Sequence, residues 1–399
     1  MKQKLVIIVG RYYPSTSAVG QCAKKLVDEM KKEYEIIIVC TSDTIHEQST
    51  FKDNDIEMHI ITTPYLKLLN KCNTTSGLMG CFYRIKQQFI RLLMILGQPH
   101  TNYMQLIKAY QNALSTISDI SIIIPFCMPM EGVIAALNVS KNTNSKVFPV
   151  IFDSIATSPT LKKIKLLKKQ QRLDNIEDLI FRQAEHIFVC SHLASHINNT
   201  LQKYLDKITF IEHPLITNEI STAKEVKKFI LYAGSVVPEC IEIEDFLDIY
   251  ALLHSKNKYP LYIYSNIKQE DIKYDNLPIF VNEWLDAEKY NNAIDQCYAM
   301  ISMSTKNTKQ FASKIFNAIS HGKPIILVYY EESHPNVSIL KKYPLALLLN
   351  YNDDLKVNAK KLENWLEVIG NTVCDYHLIE KTYNEFTPIY IYHQIKKYL

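Results

Sequence analysis

The 399-residue sequence lacks the long apolar stretches that mark membrane-spanning and secreted chains. No run approaches the roughly 20 apolar residues that a helix needs to cross a bilayer. The first apolar run, Lys4–Gly10, is too short for the core of a signal peptide, and no small-residue cleavage site follows it. We therefore expect a cytoplasmic protein, either free or bound peripherally at the inner face of the cell membrane.

The sequence also lacks any C-x-x-C pair. Its nine cysteines are scattered and odd in number, at positions 22, 40, 72, 81, 127, 190, 240, 297 and 374. This usage is typical of reduced thiols in a cytoplasmic protein, and it argues against a disulfide framework and against a structural zinc site.

Acidic residues are missing from one long segment. No aspartate or glutamate occurs between Met58 and Ser118, although the net charge of the whole chain is only +4. The basic residues of this segment are Lys67, Lys71, Arg84, Lys86, Arg91 and Lys108. A second basic run covers Leu161–Arg172. Such runs favour an anionic membrane surface or a phosphorylated substrate. Neither contains a nucleic-acid recognition module, so we expect no nucleic-acid partner.

The acid-free segment contains an apolar helix with a basic cluster. Residues 82–97 read FYRIKQQFIRLLMILG, with Arg84, Lys86 and Arg91 among apolar side chains. Such a helix can lie in a membrane interface, where its basic side chains meet lipid phosphates. It can equally pack on the body of its own domain. The sequence leaves both interpretations open.

Apolar strands alternate with helical segments along the whole chain, which predicts parallel α/β structure. In the first half the predicted strands are 5–9, 36–40, 56–61, 120–125, 147–152, 187–190 and 208–211, and the helices are 18–32, 82–96, 101–117, 130–139, 161–184 and 192–204. In the second half the strands are 229–233, 261–264, 279–281, 299–303, 325–328 and 346–349, and the helices are 242–255, 286–296, 312–321 and 353–368. We predict a first domain at 1–216, a linker at 217–228, a second domain at 229–374 and a C-terminal helical segment at 375–399 that packs back toward the first domain.

The most informative stretch is Phe311–Val328. Its apolar residues recur at the spacing of one helix face, namely at Ala312, Ile315, Phe316 and Ile319. Ser313, Lys314 and Asn317 lie off that face near the helix start, where free N–H groups and the helix dipole favour an anion. Gly322 suits a left-handed cap, and Pro324 cannot continue the helix. The alternative is an ordinary amphipathic helix followed by a strand.

The first strand runs into a long loop between Gly10 and Gly20. Its small residues can bring the backbone close to a ligand. The loop is not a G-x-G-x-x-G motif, so a dinucleotide site is poorly supported, and a merely permissive turn is the alternative.

Together these segments resemble the glycosyltransferases of the GT-B architecture, in particular the family 4-like group. Tyr12-Tyr13-Pro14 with Gly20 resembles the acceptor-side loop, for which we expect Tyr13, Ser17 and Gly20 to be site residues. Residues 178–191 (DLIFRQAEHIFVCS), 211–214 (IEHP) and 282–304 (NEWLDAEKYNNAIDQCYAMISMS) resemble further family segments in the family's order. The stretch from Ser313 is similar to the family element S-K-[IL]-[FY]-E-[YA], which is followed by G-x-P.

The resemblance implies two Rossmann-like domains that face each other across a cleft. It also implies a nucleotide-sugar donor bound mainly by the second domain and a glycan or lipid-linked acceptor bound mainly by the first. The expected activity is retaining glycosyl transfer in the synthesis of a surface polysaccharide or glycoconjugate. Because no D-x-D pair stands in the right context, we expect no essential metal and no cofactor besides the donor substrate.

Several positions depart from the family pattern. Ser235 and Cys240 stand where the family usually has an arginine and a lysine, and Asn317 replaces a glutamate that holds the ribose. Asn317 occupies the second of two family glutamate positions, and counting back puts Lys309 at the first. Lys314 is therefore the best remaining cation for a diphosphate. The expected donor-binding set is Gly234, Ser235, Trp284, Ser313, Lys314 and Asn317.

Candidates for catalysis are Asp153, which ends a predicted strand, and His213 in the expected hinge. Each has a structural alternative: Asp153 as the cap of the next segment and His213 as a satisfied buried histidine. Trp284 either shields a nucleobase or packs in the core, and His321 is expected to support the end of its helix.

Two functions remain open. The leading one is a transferase, and the lost Arg, Lys and Glu positions favour the alternative of a non-catalytic GT-B subunit that partners an active glycosyltransferase. An epimerase or phosphorylase-like enzyme is less well supported, since no convincing set of catalytic carboxylates is present.

Overall fold

The computed structural model describes residues 2–14, 17–95, 100–153, 155, 167–221, 225–274, 276–306 and 313–399, with the side chains of 91–95, 100–103 and 167–173 excepted. The chain forms two compact units. The first comprises Met1–Pro214 with Pro388–Leu399, and the second comprises Leu215–Thr387.

The first unit is built on a mostly parallel sheet. Its strands are β1 (Lys4–Arg11), β2 (Glu35–Thr41), β3 (Ser49–Asp53), β4 (Ile56–Ile61), β5 (Ile122–Cys127), β6 (Lys146–Val147), β7 (Val150–Ile151), β8 (Ile187–Cys190) and β9 (Ile208–Ile211). Their order is β3-β4-β2-β1-β5-β7-β8-β9, with β6 beside β5, and only β3 runs antiparallel to its neighbour. The helices are α1 (Ala18–Met30), α2 (Pro64–Thr74), α3 (Gly77–Ile95), α4 (His100–Ser115), α5 (Met130–Ser140), α6 (Leu167–Gln183) and α7 (Ala194–Thr200).

The central strand of this sheet is buried on both faces. Leu5 to Val9 are fully buried, as expected for a parallel strand that helices cover from both sides. On one side Tyr110 of α4 packs into the core, and its hydroxyl donates a hydrogen bond of 3.1 Å to the carbonyl of Val9. A buried tyrosine needs such a partner, so this bond ties α4 to the sheet.

The second unit has a wholly parallel sheet. Its strands are β10 (Ile230–Ala233), β11 (Leu261–Tyr264), β12 (Ile279–Asn282), β13 (Ala299–Met303), β14 (Ile325–Tyr329) and β15 (Ala346–Asn350). Their order, β12-β11-β10-β13-β14-β15, is that of a doubly wound Rossmann-like sheet. The helices are α8 (Glu244–Ala251), α9 (Ala287–Gln296), α10 (Lys314–Ser320), α11 (Pro335–Leu340), α12 (Leu355–Ile369) and α13 (Tyr376–Thr382).

The predicted α/β class is confirmed, and most strand bounds agree within one or two residues. Strand β3 and helices α2 and α11 were not predicted. Strand β3, STFKD, is a short polar edge strand without an apolar run. Helix α2 follows Thr63, whose side chain accepts a hydrogen bond from Leu66 N, with Pro64 at the first helical position.

The predicted C-terminal segment is divided between the two units. Helix α13 belongs to the second unit, whereas α14 (Pro388–Lys396) belongs to the first. There Lys396 pairs with Glu33 after α1, and the Tyr398 ring stacks on His186 at 3.6 Å. The stretch 217–228, predicted as a linker, belongs to the second unit. There the Thr217 N–H donates a hydrogen bond to Ser320 Oγ.

The end of α10 follows the predicted glycine stop. Gly322 has a φ of +65°, its N–H bonds to the Ile319 carbonyl, and Lys323 N–H bonds to the Ala318 carbonyl, each at 2.9 Å. This pair of bonds is the Schellman arrangement, which needs a left-handed residue. A Cβ on Gly322 would lie 2.7 Å from the Cys374 carbonyl oxygen, so glycine is required for space as well.

We expect Gly322→Ala to lower the free energy of unfolding by more than the about 1–2 kcal/mol that a left-handed backbone costs an alanine. The excess comes from the contact with Cys374. Urea denaturation measures the free energy of unfolding of each variant. Gly77→Ala is the control, because Gly77 has a φ of +70° but no atom within 4 Å of its Cβ position. Equal losses in the two variants would contradict the steric argument.

Candidate functional site

The carboxyl edge of the second sheet gathers polar residues from several strands. The strand order changes direction between β10 and β13, and ligands of such sheets bind outside the carboxyl ends at this point. Gly234 and Ser235 directly follow β10, and Lys306 lies three residues after β13. Parallel pairing therefore brings together groups that are about seventy positions apart in the sequence.

The loop after β10 is held in one conformation by its neighbours. Gly234 N–H donates to the Tyr264 carbonyl at 3.2 Å, and the Tyr232 hydroxyl donates to the Ser235 carbonyl at 3.0 Å. A Cβ on Gly234 would lie 3.0 Å from that hydroxyl, which explains the glycine. The Ser235 side chain is exposed and is available to a ligand.

Lys306 was not among the predicted site residues. Its Nζ lies 2.7 Å from Asp245 and also pairs with Glu242, and it sits over the Tyr330 ring at 5.0 Å. The hydrogen bond from Lys306 lowers the pKa of Glu242. Because two carboxylates face one ammonium group, Lys306 is already neutralised. The sequence signal that would have found it is a polar residue just after a buried strand at the turning point of the sheet.

Lys314 has a different environment. Its Nζ lies 4.9 Å from the centre of the Tyr290 ring and 5.5 Å from that of Trp284, both within cation–π range. Burial lowers the pKa of Lys314 to about 8. Among the described residues no carboxylate forms an ion pair with it. Lys314 is thus a partly buried cation between aromatic faces that an anion could neutralise.

The residues beside Lys314 add aromatic rings and an amide group to the same site. Asn317 Nδ2 donates to the Tyr290 hydroxyl at 3.4 Å, and burial raises the pKa of Tyr290 to about 12. Trp284 is 50% exposed, which does not fit a place in the core. Ser313 stands at the cap position of α10, but its side chain accepts no capping hydrogen bond.

Lys309, Phe311 and Ala312 lie outside the described residues, whereas all six predicted donor-binding residues lie within them. The helix face itself is as expected, since Ile315, Phe316 and Ile319 are buried. His321 is buried and its Nδ1 lies 2.7 Å from Asp295, so it takes part in a buried pair at the far end of α10.

The two predicted catalytic residues lie at the carboxyl edge of the first sheet. Asp153 follows β7, and burial raises its pKa. His213 follows β9 and stacks on Phe152 with 4.8 Å between ring centres. Burial lowers the pKa of His213 to about 3, which leaves the imidazole neutral and far from the range that suits a general base at neutral pH.

The predicted acceptor-side residues have structural contacts in the first unit. Ser17 caps α1 by accepting a hydrogen bond of 3.1 Å from Gly20 N. A Cβ on Gly20 would lie 2.2 Å from the Arg11 carbonyl oxygen, so glycine allows the helix to start this close to β1. Tyr13 packs edge-on against Phe51 at 5.2 Å.

Helix α3 carries an apolar face that its own unit does not cover. Leu78, Phe82, Ile85 and Phe89 follow each other at intervals of four, three and four residues, and they are between 59% and 92% exposed. At about 100° per residue they form one stripe. Arg84 and Lys86 are exposed on either side of it, whereas the side chain of Arg91 is outside the described ones. None of the described helices is long and apolar enough to span a membrane.

Solved structures with the same fold match nearly the whole chain. The catalytic domain of starch synthase IV from Arabidopsis thaliana, bound to ADP and acarbose, is 9% identical with a TM-score of 0.59, covering 100% of this chain and 99% of that one. An α,α-trehalose-phosphate synthase (UDP-forming) from Burkholderia vietnamiensis is 8% identical with a TM-score of 0.61, covering 99% of each chain. A putative UDP-N-acetylglucosamine 2-epimerase from Listeria monocytogenes is 10% identical with a TM-score of 0.54, covering 99% and 95%.

These likenesses confirm the predicted GT-B fold. No protein-family model and no curated protein sequence matches the chain. At such low identities the likeness shows the fold alone, and the same fold occurs in transferases and in an epimerase.

We expect Lys314→Met to raise the melting temperature at pH 7, because it removes a partly buried cation that has no carboxylate partner in the described part of the chain. The gain should shrink toward pH 10. Between about pH 8 and the unfolded lysine pKa of about 10.4, the folded wild type loses its proton first and gains relative stability. Lys268→Met, at an exposed position, is the control in thermal melts at both pH values. An unchanged or lower melting temperature for Lys314→Met at pH 7 would refute the argument.

Proposed function

We propose that this protein is a glycosyltransferase that moves a sugar from a nucleotide-sugar donor to a glycan or lipid-linked acceptor. The synthesis of a surface polysaccharide or glycoconjugate is the setting we infer, and we expect retention of configuration at the transferred sugar. The observation that carries the proposal is Lys314, a cation without a carboxylate partner among the described residues, held between aromatic rings beside the turning point of the second sheet.

The chemistry of transfer makes one main demand on such a site. A departing nucleoside diphosphate develops negative charge, which preplaced cations and N–H groups stabilise. In the proposed site the Lys314 ammonium group pairs with the diphosphate, and a nucleobase or sugar stacks on the exposed Trp284 ring. The Asn317 amide hydrogen-bonds the ribose hydroxyls in place of a carboxylate.

Two of the similar structures support a nucleoside diphosphate as the ligand class. The starch synthase structure contains ADP, and the trehalose-phosphate synthase is described as UDP-forming. We propose that phosphate charge is balanced by Lys314 and backbone groups, so that transfer needs no essential metal and no further cofactor.

A second candidate is a non-catalytic subunit that partners an active glycosyltransferase. Ser235 and Cys240 stand where the family pattern has cations, and Lys306, another described lysine of this edge, is neutralised by Glu242 and Asp245. Donor binding would then be absent or weak, which separates the two candidates.

We expect full-length protein to bind at least one of UDP, GDP and ADP in calorimetry, and Lys314→Ala to weaken that binding about 10- to 100-fold, the loss expected for a hydrogen bond to a charged group. Binding by the wild type should fall roughly tenfold from pH 7 to pH 9, because Lys314 with a pKa of about 8 loses its proton. Lys314→Arg should keep its affinity at pH 9.

The control is Lys268→Ala, which should bind like the wild type. No binding of any of the three nucleotides or their sugars would favour the non-catalytic subunit. Binding that Lys314→Ala leaves intact would reject the assigned role of Lys314 while leaving the fold-based proposal standing.

We also propose that α3 docks on an anionic membrane, where a lipid-linked acceptor would be found. The apolar stripe of Leu78, Phe82, Ile85 and Phe89 would enter the interface. Arg84 and Lys86 flank the stripe, and the surrounding 61 residues of Met58–Ser118 contain no acidic residue that would repel the lipid headgroups.

We expect simultaneous replacement of Arg84, Lys86 and Arg91 by glutamine to weaken binding to anionic vesicles about 100-fold, from about 1 kcal/mol per charge. Co-sedimentation with phosphatidylserine-containing and purely zwitterionic vesicles measures this. The control replaces Lys356, Lys360 and Lys361 of α12, which removes the same charge from another surface. Equal binding by both triple variants would show that the basic residues of α3 do not mediate membrane binding.

A further inference from the structure

A cluster of potential metal ligands lies at the carboxyl edge of the first sheet. Cys190 is the last residue of β8, and Glu212 and His213 directly follow β9. The two strands are parallel neighbours, with Cys190 paired in register with Ile211. The sheet therefore brings a thiol, an imidazole and a carboxylate together from positions that are more than twenty residues apart. His192 follows Cys190 by two residues on the same loop.

The distances within this cluster are short. One ligand atom from each of Cys190, Glu212 and His213 lies within 4.8 Å of the other two. The Cys190 sulfur lies 3.4 Å from His213 Nδ1 and 3.1 Å from His192 Nδ1. In a tetrahedral zinc site with Zn–S of about 2.3 Å and Zn–N of about 2.0–2.1 Å, the sulfur and nitrogen ligands stand about 3.5 Å apart. The separation of 3.4 Å between the Cys190 sulfur and His213 Nδ1 is close to this value.

The kinds of atom also match a particular ion. A thiolate sulfur, imidazole nitrogens and one carboxylate oxygen are the ligands of Zn²⁺, whereas Mg²⁺ and Ca²⁺ prefer oxygen alone. Hydrogen bonds between the thiol and the two imidazoles would explain the S···N contacts. A divalent cation would bring the Glu212 carboxylate, which lies within 4.8 Å of the same sulfur, into the same set of contacts.

We propose that Cys190, Glu212 and His213 bind a Zn²⁺ ion in the first unit, with the His192 imidazole beside the Cys190 sulfur. Binding converts the Cys190 thiol to a thiolate and releases its proton to solvent. Three protein ligands leave a fourth tetrahedral position, which a water molecule would complete. The ion joins the ends of β8 and β9 next to Pro214, the last residue of this part of the first unit. It is separate from the proposed donor-binding residues, which belong to the second unit.

The cysteine pattern alone could not indicate this site. The usual sign is a pair of cysteines two residues apart, whereas here a C-x-H segment meets an E-H segment through strand pairing. Only one of the nine cysteines takes part, so the scattered distribution of the others carries no information about it.

The test is a titration of the full-length, reduced, metal-free protein with Co²⁺ under anaerobic conditions, followed by absorption spectroscopy. We expect one equivalent to produce a sulfur-to-cobalt charge-transfer band and intense visible bands of a tetrahedral ion, and Zn²⁺ to abolish both. Cys190→Ala should lose the charge-transfer band. Cys81→Ser, which removes an exposed thiol, is the matched control and should keep it.

Two further variants guard against a failure of Cys190→Ala to fold. Glu212→Gln and His213→Asn keep the thiol, so we expect them to retain the charge-transfer band with Co²⁺ affinity at least about tenfold weaker. Melting curves should show that Zn²⁺ stabilises the wild type more than either variant. A Co²⁺ spectrum without thiolate character, or one that Cys190→Ala leaves unchanged, would overturn the proposal. So would wild-type affinity in both Glu212→Gln and His213→Asn.

Discussion

Parallel strand pairing is the constraint on which both units depend. A parallel neighbour can be reached only through a crossover, so helices cover the sheets and the strands become continuous apolar runs such as Leu5–Val9. The same geometry sends every carboxyl end of a parallel sheet to one edge. Groups from distant parts of the chain meet there, as the Gly234 loop and Lys306 do in the second unit, and Cys190 and His213 do in the first.

The second unit places two lysines at this edge in opposite electrostatic states. Lys306 is paired with Glu242 and Asp245, so its charge is already used within the protein. Lys314 instead has aromatic neighbours, and burial disfavours its charged form. A buried cation without a carboxylate partner among the described residues lowers stability, and departures of this kind are expected at functional sites. This contrast is the physical reason for proposing Lys314, and not Lys306, as the ligand-binding lysine.

Much of the fold could be predicted from the sequence, because buried parallel strands are apolar runs bounded by polar residues. Strands Leu261–Tyr264 and Ala299–Met303 have the bounds that their sequences predict. Strand β3 could not be found in this way, since its polar sequence owes its conformation to pairing with β4. In the candidate site, the sequence pattern singled out Lys314 and Trp284. Their neighbour Tyr290 and the pairing of Lys306 depend on tertiary contacts that no local pattern encodes.

The sequence by itself determined the α/β class, the alternation of strands and helices, and the glycine stop at Gly322, because these follow from local periodicity and backbone preference. Only the tertiary structure decided the state of the functional groups. Burial lowers the pKa of His213 to about 3. The apolar stripe of α3 stays exposed, because the rest of its unit does not cover it. Strand order brings Cys190 to His213. Protonation, exposure and proximity depend on which distant residues become neighbours, and that is a property of the folded chain.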